Sequence, residues 1–191
     1  METMQGNEDF FSRYREQLTV VLTQICARRG YGGEKLFKVE ELEEKWQHIS
    51  PGYMPEALAN LQDYPSVSLA WAAYVGMGMA KLWDTDWEQS QQMDDFYGYF
   101  ANPRGFDCLD EFVMEECLGL AKETPPYQSL VSLCQELSES ALTMMRKENV
   151  SPQSADAYFL FSYTVETFYR VGISVALCSM GYNYQKVTIE G

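Results

Sequence analysis

The sequence predicts an all-α protein, a multi-helix bundle of about six to eight helices covering about three-quarters of the chain. Three observations predict it. Apolar residues recur at spacings of three and four in one segment after another. Helix start and stop signals separate those segments, as in Thr124-Pro125, Ser151-Pro152, Gly30 and Gly181. No alternating apolar run is long enough to compete, apart from the short stretch 186–189.

The first helix is expected from Asn7, which can cap it, with Glu8 and Asp9 complementing the dipole of its first turn. Phe11, Tyr14, Leu18, Leu22 and Ile25 define one apolar face, and Gly30 can take the left-handed stop conformation. Tyr31-Gly32-Gly33 then reads as a turn. It lacks a preceding strand and a Gly-Lys-Ser/Thr ending, so it is not a phosphate-binding loop. A second helix points Val39, Leu42, Trp46 and Ile49 inward and is expected to end at Ser50-Pro51-Gly52. Pro55 can open a two-turn helix that stops at Tyr64-Pro65.

Ser66 can cap a helix running to about Trp83. Thr85 and Glu88 have the spacing of a capping box for a helix carrying Met93, Phe96, Tyr97 and Phe100. After a break at Asn102-Pro103-Arg104-Gly105, Phe106, Leu109, Val113, Cys117 and Leu120 form the next stripe. Thr124-Pro125 opens a helix with Leu130, Leu133, Leu137, Ala141 and Met144 inward. Ser151-Pro152 opens the last one, which Gly181 stops. With no repeat and no long linker, residues 1–185 read as a single all-helical domain and 186–191 as a short tail.

Two segments are expected at the centre because they are apolar all round. Residues 66–80 carry no charge and place Ala72, Gly76 and Ala80 in a row at spacing four, which lets another helix approach closely. The competing reading makes Gly76 and Gly78 the wall of a ligand cavity. In the last helix, between Ala157 and Gln185, the only charges are Glu166 and Arg170, set among Tyr158, Phe159, Phe161, Tyr163, Phe168 and Tyr169.

Composition narrows the function classes. The formal charge of −14, from 28 acidic and 14 basic residues, opposes binding to nucleic acid and to anionic membranes and favours a cationic partner, such as a basic protein. The apolar stretches 64–80 and 171–185 fall short of the roughly 20 residues that a span requires, so no membrane insertion is expected. Five cysteines, odd in number and without a Cys-x-x-Cys pair, suit reduced and mostly buried thiols in the cytoplasm. The N-terminus has no basic and apolar signal pattern.

Little in the sequence carries chemistry. His48 is the only histidine and residue 45 is lysine, which excludes the Glu-x-x-His di-iron pattern and multi-histidine zinc sites. No nucleophile elbow, dinucleotide fingerprint or P-loop occurs. His48 reads as a surface or packing residue. Cys108 lies near a helix start but among Asp107, Asp110 and Glu111, which disfavour a thiolate. Asp84, Asp86 and Glu88 read as helix-starting residues rather than metal ligands. Accordingly no catalytic residue, metal site or cofactor is assigned.

Two candidate sites remain. Asp107, Glu111 and Glu115 stack at spacing four, opposite the stripe of Phe106, Leu109 and Val113, and so are expected to form a solvated acidic face. They belong to the segment 84–123, which holds eleven acidic and two basic side chains. Glu166 and Arg170, acid before base at spacing four, lie with Ser162 and Ser174 on a polar line through an apolar helix. With Tyr163 and Tyr169 they make a candidate ligand site, in which the ion pair is expected to be buried. The leading expectation is thus an interaction or regulatory module that binds a cationic partner, with a homo-oligomer compatible with it. The alternative is a small-molecule-binding bundle with an aromatic-lined pocket at Glu166 and Arg170, followed by an enzyme without a readable motif.

Overall fold

The computed structural model describes residues 2–183 and is all-α, 76% helical, with no strand among the described residues. In chain order the helices are α1 (Glu2–Arg28), α2 (Glu40–Glu44), α3 (Trp46–Asn60), α4 (Pro65–Ser90), α5 (Phe96–Ala101), α6 (Leu109–Phe112), α7 (Pro125–Lys147) and α8 (Ala155–Ser179). A 3-10 turn, Phe106–Cys108, precedes α6, and a wide π turn, Val113–Cys117, follows it. The tail 186–191, with the alternating stretch 186–189, lies outside the described residues.

Helices α4 and α8 form the centre, as the uncharged stretch 66–80 and the sparsely charged last helix favour. Their backbones touch. A methyl group on Gly76 would lie 2.1 Å from the carbonyl oxygen of Tyr169, and one on Gly172 would lie 1.9 Å from that of Ala73. Gly78 sits against the ring of Phe100. Close packing therefore accounts for both glycines of α4, and neither lines a cavity. The remaining helices lay one apolar face each on this pair, with Leu18 and Leu22 of α1 and Leu133 and Leu137 of α7 completely buried. The buried side chains form one continuous core.

Several helix limits differ from the sequence expectation for local reasons. Asn7 does not cap α1, which already runs through it, and its amide reaches Asp156 at 3.3 Å. Helix α3 passes through both Pro51 and Pro55. Each interior proline costs about 3 kcal/mol relative to alanine. Burial of Trp46, Ile49, Tyr53, Met54 and Ala57 offsets that cost, the large side chains contributing about 1.5–3 kcal/mol each. The expected break falls earlier, at Lys45, between α2 and α3.

The junction after Trp83 is a kink rather than a stop. Asp86 is extended (φ −157°, ψ 85°), and its carboxylate accepts the Gln89 N–H at 3.2 Å, while Thr85 bonds back to the Lys81 carbonyl. Asp95, not Thr85, caps α5, accepting the Gly98 N–H at 2.8 Å. Ser154, three residues beyond Ser151, caps α8 through the Ala157 N–H. Gly30 and Gly181 stop α1 and α8 in the left-handed conformation.

Four tyrosines are completely or almost completely buried, and tertiary bonds satisfy them. Tyr14 bonds Thr164 at 2.7 Å, Tyr53 donates to the Ser68 carbonyl at 2.8 Å, and Tyr169 donates to the Leu42 carbonyl at 2.7 Å. Tyr74 pairs with the thiol of Cys134. No buried side-chain nitrogen or oxygen lacks a partner among the described residues. All five cysteines are free, and burial pushes the thiols of Cys26, Cys117 and Cys134 up to about 12, which leaves them protonated and unreactive. Among the described residues no helix is long and apolar enough to cross a membrane.

Candidate functional site

Helix α1 buries one face against α7 and α8 and leaves its flank open. Along that flank runs a groove of about 790 Å³, with Phe11, Arg15, Thr19 and Val20 on one side, Leu36 of the 30–38 loop opposite, and Tyr163 and Arg170 of α8 at its base. The lining residues of α1 extend from Glu8 to Thr23. At 1.5 Å per residue this spans about 22 Å, roughly four helical turns.

The groove has an aromatic end. Phe11 packs edge-on against Phe159 (6.0 Å between centroids) and close to Tyr163 (5.4 Å), and Phe159 stacks on Tyr163. The Arg15 guanidinium lies 4.7 Å from the Tyr163 ring centroid, within cation–π range. Beside this cluster stand side chains that a lone bundle would ordinarily keep covered: Tyr158 is 46% exposed and Phe159 45%, and at the other end Val20 is 52% exposed. Glu8, Glu16 and Glu34 edge the groove without an ion pair among the described residues.

The structure brings together three of the four candidate ligand residues. Glu166 holds Arg170 at 2.9 Å and Arg15 at 3.5 Å, and Arg170 also reaches Glu43 at 3.7 Å. This four-member network ties α1, α2 and α8. Its side chains are 22% exposed at Glu166 and 35% at Arg170, so the pair is half-buried instead of fully desolvated. On the polar line of α8, Ser174 accepts the Phe37 N–H at 2.9 Å. Tyr163 lines the groove. Tyr169 does not: one residue from Arg170 but on the inner side of α8, it stacks on Trp46 at 5.0 Å.

A double-mutant cycle reads the network. Arg170→Met leaves Glu166 paired with Arg15, whereas Glu166→Gln removes the acid that both guanidinium groups share and leaves only the longer contact of Arg170 with Glu43. Denaturant melts are expected to show a loss of under about 1 kcal/mol for Arg170→Met and about 1–2 kcal/mol for Glu166→Gln, between the values for exposed and buried pairs. Equal losses in the two single variants would contradict the shared-acid geometry.

The acidic candidates occupy a less regular segment than their spacing implies. Asp107, Glu111 and Glu115 lie in a run of one 3-10 turn, one α-turn and a π turn over 106–117, and Glu111 and Glu115 both approach Arg104, at 4.0 and 2.9 Å. Asp107 is exposed. Glu115 and Glu116 each hold Arg104 at 2.9 Å, and Glu111 holds Lys122 at 2.7 Å. Both cations of the acidic segment are thereby engaged by Glu111, Glu115 and Glu116, and the Lys122 bond holds the Glu111 carboxyl below the usual carboxylate range. Next to them, burial pushes the Asp110 carboxyl up to about 6. Among the described residues no three His, Cys, Asp or Glu side chains converge as metal ligands would.

The groove residues of α1 were not legible as a site. Their only trace in the sequence is Val20, an apolar residue off the Phe11–Ile25 stripe, together with the adjacent Tyr158-Phe159 pair ahead of the buried part of α8. Comparison with protein-family models, with curated proteins and with solved structures gave no match.

Proposed function

We propose that this protein is an interaction module whose groove along α1 receives an amphipathic, basic helical segment of a partner protein. The observation that carries this reading is the pairing of an elongated groove and its exposed apolar lining with three carboxylates that have no ion pair among the described residues. Against them the lining sets one such cation, Lys35, since Arg15 and Arg170 are held by Glu166. An amphipathic helix laid into such a groove places apolar anchors at spacings of three and four against Phe11, Val20 and Tyr163. Basic residues on its flanks face Glu8, Glu16 and Glu34, and the net charge of −14 steers them in. The length of the groove favours a peptide over a compact small molecule. It also favours this surface over the acidic face at Asp107, Glu111 and Glu115, where Arg104 and Lys122 already neutralise part of the charge.

The test uses a synthetic leucine–lysine peptide about 15 residues long, matched to the groove length, with its leucines at helical spacing. Its control has the same composition in scrambled order. Fluorescence titration at low salt is expected to show saturable binding of the ordered peptide alone. Glu8→Lys/Glu16→Lys should weaken it by about tenfold, and Glu111→Lys/Glu115→Lys, an equal change of net charge, by less than about threefold. Equal losses from the two reversals would reduce the effect to net charge. A larger loss from the second would return the partner to the acidic face.

A further inference from the structure

A second cavity lies at the far end of α8, away from the groove and independent of the reading above. It holds about 280 Å³ between α4, the start of α7, the end of α8 and the loop after the π turn. Met77, Leu118, Leu120, Leu130, Val175 and Met180 give it apolar walls. The π turn shapes it. The Leu118 N–H bonds back five residues to Val113 and the Leu120 N–H six residues to Met114, which carries both leucines over the opening. Such wide turns often occur where a helix serves a binding site.

One charged residue lines this apolar space, the half-buried Lys81. Lys81 has no ion pair among the described residues, and no acidic residue lines the cavity beside it. The other polar groups are engaged elsewhere: Tyr31 donates to Ser129, and Ser179 donates to the Val175 carbonyl. An apolar cavity lined by one cation that has no ion pair among the described residues matches a ligand with an aliphatic body and a single anionic end. At 280 Å³ it lies just below the usual range of ligand sites, which begins at about 300 Å³, so the body is short. We propose that this cavity binds a short-chain aliphatic carboxylate, its chain between Met77, Leu130 and Met180 and its carboxylate at Lys81.

Octanoate is the probe, with 1-octanol and octylammonium as neutral and cationic controls, and methyl-labelled methionine provides the readout. Octanoate should shift the Met77 and Met180 methyl signals saturably while leaving Met144 and Met145 in place. It should bind about fivefold more tightly than octanol at low salt, with octylammonium weakest. Lys81→Met should bring octanoate down to the affinity of octanol and leave octanol binding at the same methyls unchanged, which also reports an intact cavity. Lys81→Arg should retain the preference. The proposal fails if octanoate moves Met144 and Met145 as much as Met77 and Met180, or if neither octanoate nor octanol binds. It fails equally if Lys81→Met binds octanoate as tightly as the parent protein.

Discussion

Gly172→Ala is expected to destabilise the protein by about 2 kcal/mol, even though alanine is the better helix former. Two terms of opposite sign compete. Relieving glycine of its conformational freedom inside α8 favours the variant by about 1 kcal/mol. Against that, the new methyl group would lie 1.9 Å from the Ala73 carbonyl oxygen, a backbone atom that cannot swing aside as a side-chain tip would. The two central helices must separate, and overpacking of this kind costs about 3 kcal/mol. Gly76→Ala meets the Tyr169 carbonyl oxygen at 2.1 Å and should behave alike. Since both glycines serve the same crossing, separation forced by the first methyl group makes room for the second. The double variant should therefore lose less than the sum of the singles, a coupling readable from urea melts. A neutral or stabilising Gly172→Ala would mean that the helices do not meet at that distance.

Tyr169→Phe is expected to cost about 2 kcal/mol and to loosen one specific element. Helix α2 has five residues, too few to hold itself. It breaks at Lys45 before α3 begins, so the Leu42 carbonyl takes its bond from the Tyr169 hydroxyl at 2.7 Å. Removing that hydroxyl leaves a buried acceptor unpaired, a penalty of about 1–3 kcal/mol, with the stacking of the ring on Trp46 retained. Hydrogen exchange should accelerate in α2 ahead of the central helices. Affinity for the leucine–lysine peptide should stay within about twofold, because Tyr169 faces the core and the groove is lined by Tyr163. Tyr163→Ala should show the reverse pattern, a weakened peptide with modest loss of stability. A peptide lost in Tyr169→Phe would give that residue a place in recognition that the geometry denies it.

Much of the fold was legible because helix formation leaves a periodic record. The stripes on α1 and α7, the uncharged stretch 66–80 of α4, the sparsely charged α8, and the stops at Gly30 and Gly181 are properties of single segments, and each can be read without its neighbours. The close approach at Gly76 was foreseeable on the same ground, since mid-helix glycine has a cost that packing must offset. Where local rules failed, a tertiary term outweighed them. Proline signals ended one helix at Ser50-Pro51-Gly52 and opened another at Pro55, but burial of the inward face of α3 carries a single helix through both. The even spacing of Asp107, Glu111 and Glu115 read as one regular helix, but the chain around Phe106, Val113 and Met114 forms three kinds of helical turn there.

For the candidate site, the sequence alone determined which residues are out of place: Glu166 and Arg170 in an apolar helix, and an excess of acid without an obvious use. Pairing decided what those residues do, and pairing is a property of space. Glu166, the acid that Arg170 shares with Arg15, lies 151 positions away from Arg15 in the chain, and the acids of the 111–116 segment found Arg104 and Lys122. Tyr163 and Tyr169 look alike in the sequence, yet six residues at about 100° each put them on different sides of α8, one in the groove and one against Trp46. The groove exists only because α1 and the 30–38 loop close around α8 without filling the space between them. No segment contains that shape, so none could announce it.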